Sequence, residues 1–284
     1  MKKILLIIPV CLCTCSLFAQ RHLYMGVFGG LTGYKGDLGS ATLPFKAPNG
    51  VIGGSMVVEL NHRMIIRAEL NYGEVSGSDK LSAKNRARNL DFSSKITEAG
   101  LAFEYILFDL YEYKVSPYFF AGISTFKFSP YTKDEKGNVI FLAELSTEGQ
   151  GFYKDRKEYK LQKIAIPFGG GFQWALSRRT RLLLEAGIRK TNTDYLDDVS
   201  TTYVDATLLE QRKGATAVAI AYRGDELDPS SPYPAADTRR GNPANKDWYF
   251  FTGLHFRFSL EPKMRQVRYT YKPRRAKTSC PTVF

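Results

Sequence analysis

Apolar and polar side chains alternate along most of the chain, and this period of two residues limits the fold more than any other feature. Between Arg181 and Arg189, one face carries four apolar side chains and the other carries Arg181, Glu185 and Arg189. Successive side chains of a β-strand point to opposite faces, so the pattern predicts strands that meet an apolar environment on one side. Helical periodicity is nowhere long enough to build a helical bundle.

Eight segments show the alternation, and each can supply the nine to eleven residues that a tilted strand needs to cross a bilayer. They are Leu23 to Thr32, Val51 to Leu60, Arg63 to Val75, Lys95 to Phe108, Pro117 to Ser129, Leu161 to Leu176, Arg179 to Lys190 and Asp247 to Leu260. Short and long connections follow one another, which is typical of outer-membrane barrels. The sequence therefore predicts an all-β fold: an eight-stranded antiparallel transmembrane β-barrel with long extracellular loops and short periplasmic turns.

The polar faces of these segments carry many charges, which distinguish two possible folds. The charged residues are Glu59, Arg67, Glu69, Glu98, Glu104, Glu185, Arg189 and Arg257. In a soluble lipocalin-like barrel or sandwich they would face solvent, whereas in a membrane barrel they would face the lumen. An eight-stranded lumen is only wide enough for side chains, so we expect opposite charges to pair inside and to leave no open pore.

The two ends of the chain predict an exported protein with three parts. Residues 1–19 have a basic start, an apolar run and a small residue at Ala19, which is typical of a signal peptide cleaved after that residue. Lipidation at Cys15 is a weaker alternative, because Leu12 to Thr14 match such sites poorly. The barrel is expected at 20–260, and a basic periplasmic tail at 261–284.

Cysteine and charge further limit the possibilities. After cleavage only Cys280 would remain, so no internal disulfide can form and either a large core or a closed hydrogen-bonded sheet must hold the fold. The chain has a formal net charge of +12 at pH 7. Much of it lies in the tail, in Lys263, Arg265, Arg268, Lys272, Arg274, Arg275 and Lys277. An exported chain is not expected to meet nucleic acid, so an acidic protein, anionic lipid or the cell wall is the expected partner.

Residues suited to catalysis are few. The three histidines, His22, His62 and His255, lie outside the long loops, where an outer-membrane enzyme would present its site. His255 is expected to be a packed lumen side chain. The sequence therefore predicts a protein that is not an enzyme and needs no cofactor.

A cluster of aspartates in the last long loop raises the question of a metal site. Asp194, Asp197, Asp198 and Asp205 do not have the spacing or the glycine of the common calcium loop. A lone calcium ion is the alternative. We expect these acids to cap turns and to pair with arginines of the rim, such as Arg189 or Arg223.

Four short motifs rich in Gly, Tyr and Asp lie at the long loops and form a set. Their candidate structural or docking residues are Tyr34, Gly36, Asp37, Arg88, Asn89, Glu148, Gly149, Asp194, Tyr195, Asp197 and Asp198. We expect these loops to fold over the mouth of the barrel, with arginines holding the acids, as a rigid plug or docking face.

Taken in order, these motifs resemble the PorG family of outer-membrane proteins of the type IX secretion system. The resemblance covers the FAQ end of the signal, YKGDL from Tyr34, RNL from Arg88 with Phe92, SPY from Ser116, TEGQG from Thr147, TDYLDDVS from Thr193 with Tyr203, and DWY from Asp247. It spans essentially the whole mature chain. It implies an eight-stranded barrel of the Gram-negative outer membrane, not itself the translocation channel, that tethers or helps assemble the periplasmic PorK and PorN rings.

Three functions follow from this reading. The first is a non-enzymatic component that anchors a periplasmic assembly, with the basic tail and short turns as its inner contact surface. The second is an adhesion or surface-binding barrel that acts through its long loops. The third is a lipid-modifying enzyme, which the placement of the histidines disfavours.

Overall fold

The structure is a computed structural model that describes residues 22–39, 48–81, 85–134, 136–177 and 179–260. The predicted signal peptide, Cys280 and the basic tail from Lys263 to Lys277 lie outside these residues. Among the described residues, no helix is both long enough and apolar enough to cross a membrane.

Long antiparallel strands form one sheet that closes on itself. The strands are β1 Leu23–Lys35, β2 Gly50–Glu59, β3 Met64–Ser78, β4 Asp91–Ile106, β5 Val115–Lys133, β6 Val139–Phe141, β7 Gln162–Ala175, β8 Thr180–Thr191 and β9 Trp248–Ser259. Each pairs with its neighbour in the order β4-β3-β2-β1-β9-β8-β7-β5, and β4 also pairs with β5. Closure leaves no long unpaired edge among the strands that the structure describes. The short strand β6 only extends the sheet beside the end of β5, so the predicted eight-stranded antiparallel barrel is confirmed.

Every predicted segment coincides with a barrel strand, but several strands are longer than the alternation indicates. Strand β4 begins at Asp91 instead of Lys95, and β5 continues to Lys133 instead of Ser129. Both extensions lie beside the long loops. There the backbone hydrogen bonds between strands continue beyond the apolar band. The long loops cover these strand ends, so neither face of the strands is uniformly apolar.

Apolar side chains point outward from the barrel and charged ones point inward. Ile52 and Leu70 are 67% and 65% exposed, whereas Arg67, Glu98 and Glu104 are fully buried. A soluble lipocalin-like barrel would have the opposite arrangement, so that alternative is wrong. An outward apolar band around a polar interior is the arrangement of a membrane-spanning barrel.

The two ends of the barrel differ in the length of their connections. The short-turn end has the connections 60–63, 107–114 and 176–179, together with both ends of the described chain. The other end has the long loops 36–49, 79–90, 134–161 and 192–247, whose described residues we call the cap. This alternation agrees with the prediction from loop length.

The cap contains three short α-helices in segments that the sequence predicts as loop. They are α1 Leu142–Leu145, α2 Ala206–Lys213 and α3 Ala215–Ala221. Asp205 begins α2, because its carboxylate accepts a hydrogen bond from the Leu208 amide at 3.0 Å. Helices this short are marginal alone and depend on the packing of the cap.

Candidate functional site

Inside the barrel, one arginine contacts three carboxylates that come from three strands. The Arg67 side chain is fully buried, and its Nη1 lies 2.6 Å from Glu185 Oε2 and 2.9 Å from Glu104 Oε1. Its Nε lies 3.0 Å from Glu69 Oε2, and its guanidinium stacks over the Phe120 ring at 4.9 Å. Buried ions need such partners, because each would otherwise lose its hydration without compensation.

Further pairs extend this network across the lumen. Arg257 on β9 holds Glu104 on β4 with two bonds of 2.8 and 2.6 Å. His255 Nε2 lies 3.3 Å from Glu185 Oε1, and its ring stacks on Phe28 at 4.4 Å. His255 is therefore a packed lumen side chain, as predicted.

Each end of the lumen has an arginine of its own. Near the short-turn end, Arg181 pairs with Glu59 and stacks over the Tyr24 ring at 4.6 Å. Near the cap, Arg189 Nε lies 3.6 Å from Glu98 Oε2 and its guanidinium stacks over Phe251 at 4.3 Å. Opposite charges thus meet across the barrel, and the predicted pairing in the lumen is confirmed.

Above the ionic network, aromatic rings from the strands form a core shared by the barrel and the cap. Phe126 packs against Phe128 and Tyr249 with centroid distances of 5.7 and 5.3 Å. Leu196 and Val199, from the aspartate-rich loop, are buried in the same cluster. The sequence signal for this core is the pair of apolar residues that flank Asp197 and Asp198, but two apolar residues in a loop have no periodicity that would predict burial.

The junction between barrel and cap is a tyrosine that meets two carboxyl groups. Tyr34, at the end of β1, donates a 2.6 Å hydrogen bond to Asp197 Oδ2, and its hydroxyl lies 3.1 Å from Asp247 Oδ1. The Leu38 amide also donates to Asp197, at 3.1 Å. A Cβ at Gly36 would lie 1.9 Å from the Tyr34 hydroxyl, so only glycine allows this approach.

Glu148 joins the third long loop to the last one. Its carboxylate accepts hydrogen bonds from the Ser200 and Thr201 amides, both at 2.9 Å, and pairs with Arg240 at 3.1 Å. Gly149 follows with φ of 78° and leaves no room for a side chain, because a Cβ would lie 2.5 Å from Tyr153. The buried Glu148 carboxylate thus accepts hydrogen bonds from backbone amides of the last long loop and joins the two loops.

Asp198 has a second set of partners from the third loop. It accepts hydrogen bonds from the Thr147 hydroxyl at 2.5 Å and the Tyr159 hydroxyl at 2.6 Å. Tyr159 stacks on Tyr195 with a centroid distance of 4.6 Å. Asp198 has φ of 63°, a left-handed conformation that aspartate tolerates better than most residues.

The second long loop is tied in by Arg88 and Asn89. Arg88 donates to both oxygens of Asp79 at 2.7 Å, to the Asp37 carbonyl at 3.3 Å and to the Arg240 carbonyl. Asn89 donates to the carbonyl of Arg223 at 3.1 Å. The predicted loop motifs therefore do meet in one cap, although they lie far apart in the sequence.

Two of the expected arginine partners are wrong. Arg189 lies inside the barrel beside Glu98, and Arg223 pairs with Asp91 at 3.2 Å and with Glu226 at 2.6 Å. The arginine that reaches the aspartate-rich loop is Arg240, which donates to the Asp198 carbonyl at 2.7 Å. Sequence reasoning missed Arg240 because it lies in a loop segment without a recognisable motif.

Burial changes the proton affinity of the cap acids. It raises the pKa of Asp197 to about 8 and the pKa values of Asp194 and Asp198 to about 7. Burial, with the nearby Asp197 carboxyl, also raises the pKa of Asp247 well above its usual value. These groups therefore hold protons at a pH where exposed aspartates are ionised.

A family model described as a domain of unknown function, DUF6089, matches residues 2–215, which is more than half of the 284 residues. The chain belongs to the DUF6089 family. The match includes β1 to β8 and the aspartate-rich segment, whereas Arg240, Asp247 and β9 follow it. No curated protein matches the DUF6089 chain significantly.

Several solved structures have a similar fold. Neisserial surface protein A is 12% identical, with a TM-score of 0.42 over 83% of this chain and 96% of the other. The attachment invasion locus protein Ail of Yersinia pestis, solved with the heparin analogue sucrose octasulfate, is 9% identical, with a TM-score of 0.38 over 84% and 99%. The outer membrane protein OprG of Pseudomonas aeruginosa is 9% identical, with a TM-score of 0.37 over 84% and 97%.

The described part of the DUF6089 chain contains no group of three or more His, Cys, Asp and Glu side chains arranged to hold a metal ion. The acids that were candidate ligands are used by the cap, since Asp197 and Asp198 accept hydrogen bonds from backbone and hydroxyl groups. His62, at the short-turn end, lies with Nδ1 3.1 Å from Asp109. The predicted capping role of the acids is confirmed for Asp197 and Asp205.

Proposed function

We propose that this chain is a non-enzymatic outer-membrane component of the type IX protein secretion system, which anchors or helps assemble the periplasmic ring of PorK and PorN proteins. The outward apolar band supports a membrane location, because residues such as Ile52 and Leu70 would be exposed to water outside a bilayer. The export signal predicted at residues 1–19 and the PorG resemblance support the same location and role.

The observation that carries the proposal is the sealed lumen. Arg67 pairs with Glu185 and Arg257 pairs with Glu104, and both pairs join opposite walls at distances of 2.6 to 2.8 Å. A polypeptide cannot pass through side chains packed in this way. The barrel is therefore proposed as an anchor beside the export route and not as the route.

In this role the short-turn end faces the periplasm and the cap faces the cell exterior. The turns at 60–63, 107–114 and 176–179 and the basic tail would form the contact with the rings. The tail would bring seven basic residues, from Lys263 to Lys277, to an acidic partner.

Affinity capture from solubilised membranes tests the proposal. The full chain should retain PorK- and PorN-type ring proteins, and a chain ending at Leu260 should lose most of them. A full-length chain with the seven tail cations changed to glutamine is the matched control for charge alone. Equal recovery by all three would refute the tail contact, and no recovery by any of them would refute the secretion role.

A second function is binding at the cell surface through the cap. It is favoured by the many hydrogen bonds and ion pairs within the cap. Its loops are joined by buried bonds such as those of Glu148 and Arg240, which form a rigid platform. Deletion of the gene separates the two functions. Loss of secreted cargo indicates the anchor, whereas loss of surface adhesion with normal secretion indicates the platform.

A further inference from the structure

A groove lies on the outer wall of the barrel, on the other side of the sheet from the ionic network. It crosses β1 to β5, reaches β7 at Ile164, and has a volume of about 800 Å³, within the range of lipid- and drug-sized sites. Its outward floor is made of small residues, Gly54, Ala68 and Ala99. Larger apolar residues surround them, namely Met25, Met56, Leu70, Leu101, Ile123 and Ile164.

The strand register explains how the groove forms. Leu70 on β3 is opposite Gly54 on β2 and Ala99 on β4, so one large side chain stands between two small ones. One step along, Met56 is opposite Ala68. The small residues leave a depression in a wall whose outer face is otherwise covered by side chains.

Two exposed lysines stand directly above this groove on the cap side. Lys127 on β5 is opposite Thr97 on β4, and Lys95 is opposite Ser129, so the two lysines are diagonal neighbours. Such positions lie about 7–8 Å apart, which is close enough for two ammonium groups to share one anion. Both are exposed on the outward face, where the apolar band ends.

The surroundings leave these lysines available for an external anion. Among the residues that the structure describes, no carboxylate lies within ion-pair distance of either ammonium group. Glu74 is opposite Lys95 in the register, but its carboxylate accepts a 3.0 Å hydrogen bond from the Tyr131 hydroxyl. Thr125, two residues from Lys127, lines the end of the groove and connects the lysine pair to it.

We propose that this groove and the lysine pair form a binding site for a lipid with a phosphorylated headgroup. The phosphate would lie between Lys95 and Lys127, and an acyl chain would lie along the floor at Ala99 and Gly54. An apolar groove alone would accept any lipid or a second barrel, and the cations at its upper end select the anionic lipid. The site rests on the outer-membrane location proposed above, but not on the secretion role.

Lipid binding by the purified full-length protein tests the site. In native mass spectrometry from detergent, phosphatidylglycerol should remain bound more strongly than phosphatidylcholine with the same chains, and inorganic phosphate alone should not displace it. Each lysine near a membrane surface contributes about fivefold in affinity. The K95Q/K127Q variant should therefore weaken phosphatidylglycerol binding about 10- to 30-fold and leave phosphatidylcholine binding nearly unchanged.

The chain offers a matched control for charge. Lys35 and Lys190 are also exposed, but they flank Trp248, with ammonium groups 5.9 and 5.8 Å from its ring, and they do not line the groove. K35Q/K190Q removes the same charge and should change phosphatidylglycerol affinity less than about threefold. An equal loss in both variants would show diffuse attraction and overturn the site.

Filling the groove tests the place of the acyl chain. A Cβ at Gly54 meets only the Gly26 carbonyl oxygen, at 3.9 Å, so G54L should fold normally. It should weaken phosphatidylglycerol binding about tenfold, with heat-modifiable gel migration retained as the check on folding. Unchanged binding would remove the groove from the proposal, and conversion of a dimer to a monomer by G54L would assign the groove to a second copy. Capture of the PorK- and PorN-type ring proteins by the same variants is measured in a separate experiment. Failure of the lipid site can therefore be distinguished from failure of the secretion role.

Discussion

Replacing Arg67 by methionine tests how much the ionic network in the lumen stabilises the barrel. The substitution keeps a long side chain but removes the charge that three carboxylates share. Glu104 would keep Arg257 at 2.6 Å, and Glu185 would keep the Tyr118 hydroxyl at 2.7 Å and His255 at 3.3 Å. Glu69 would lose most, because its other ionic contact, Arg189, is 3.9 Å away.

The expected loss of unfolding free energy follows from these remaining contacts. Removing one partner of a buried ion pair costs about 3–5 kcal/mol, because the other charge remains desolvated. Two of the three carboxylates keep a short contact, so we expect about 3 kcal/mol, the lower end. With a urea dependence of about 1–3 kcal/mol per molar, the unfolding midpoint should fall by about 1–3 M.

The two tryptophans, Trp174 on β7 and Trp248 on β9, report on barrel unfolding by fluorescence in lipid vesicles. An R67M/E69Q variant should recover about half of the lost stability, because the carboxylate with the weakest remaining partner is neutralised. R212M, on an exposed side chain of α2, is the control and should change stability by no more than about 0.5 kcal/mol. An R67M barrel as stable as the native one would refute the reasoning.

Three further predictions concern the cap. D197A removes the acceptor for Tyr34 and Leu38, so trypsin should cut the loops faster while heat-modifiable migration persists; loss of that migration would contradict a cap-only role. Because the folded cap raises the pKa of Asp197 to about 8, it holds a proton that an opened cap releases, so hydrogen-exchange protection factors in the cap should fall as pH rises from about 4 to about 8. D197N should flatten that fall, and an unchanged slope would assign it to other acids. D205A removes the cap of α2 and should cost about 1 kcal/mol, seen as faster exchange in 206–213 with no change in the barrel strands.

The strands could be predicted from the sequence because the polarity of each residue matches the side of the barrel wall that it faces. In β8, Leu184 and Glu185 differ in polarity because one faces outward and the other faces the lumen. That contrast repeats every two residues and needs no knowledge of the neighbouring strand. The ends of the strands were less certain, since beyond the apolar band the cap covers both faces and the contrast disappears.

The contacts within the lumen were only partly predictable. The sequence identified Arg67, Glu104 and Glu185 as inward-facing, and so predicted that they would pair. Which acid meets which arginine depends on the stagger of strands on opposite walls, which no local pattern encodes.

Sequence alone determined that this chain makes an eight-stranded barrel. Lipid on one side of the wall and packed charge on the other require apolar and polar residues to alternate, and this alternation is present in every strand. Only the tertiary structure decided the cap. Tyr34 meets Asp197 across 163 residues and Asp247 across 213, and Arg240 reaches Glu148 across 92. Such bonds exist only once the barrel has brought its long loops to one end, so their partners carry no periodic signal in the chain.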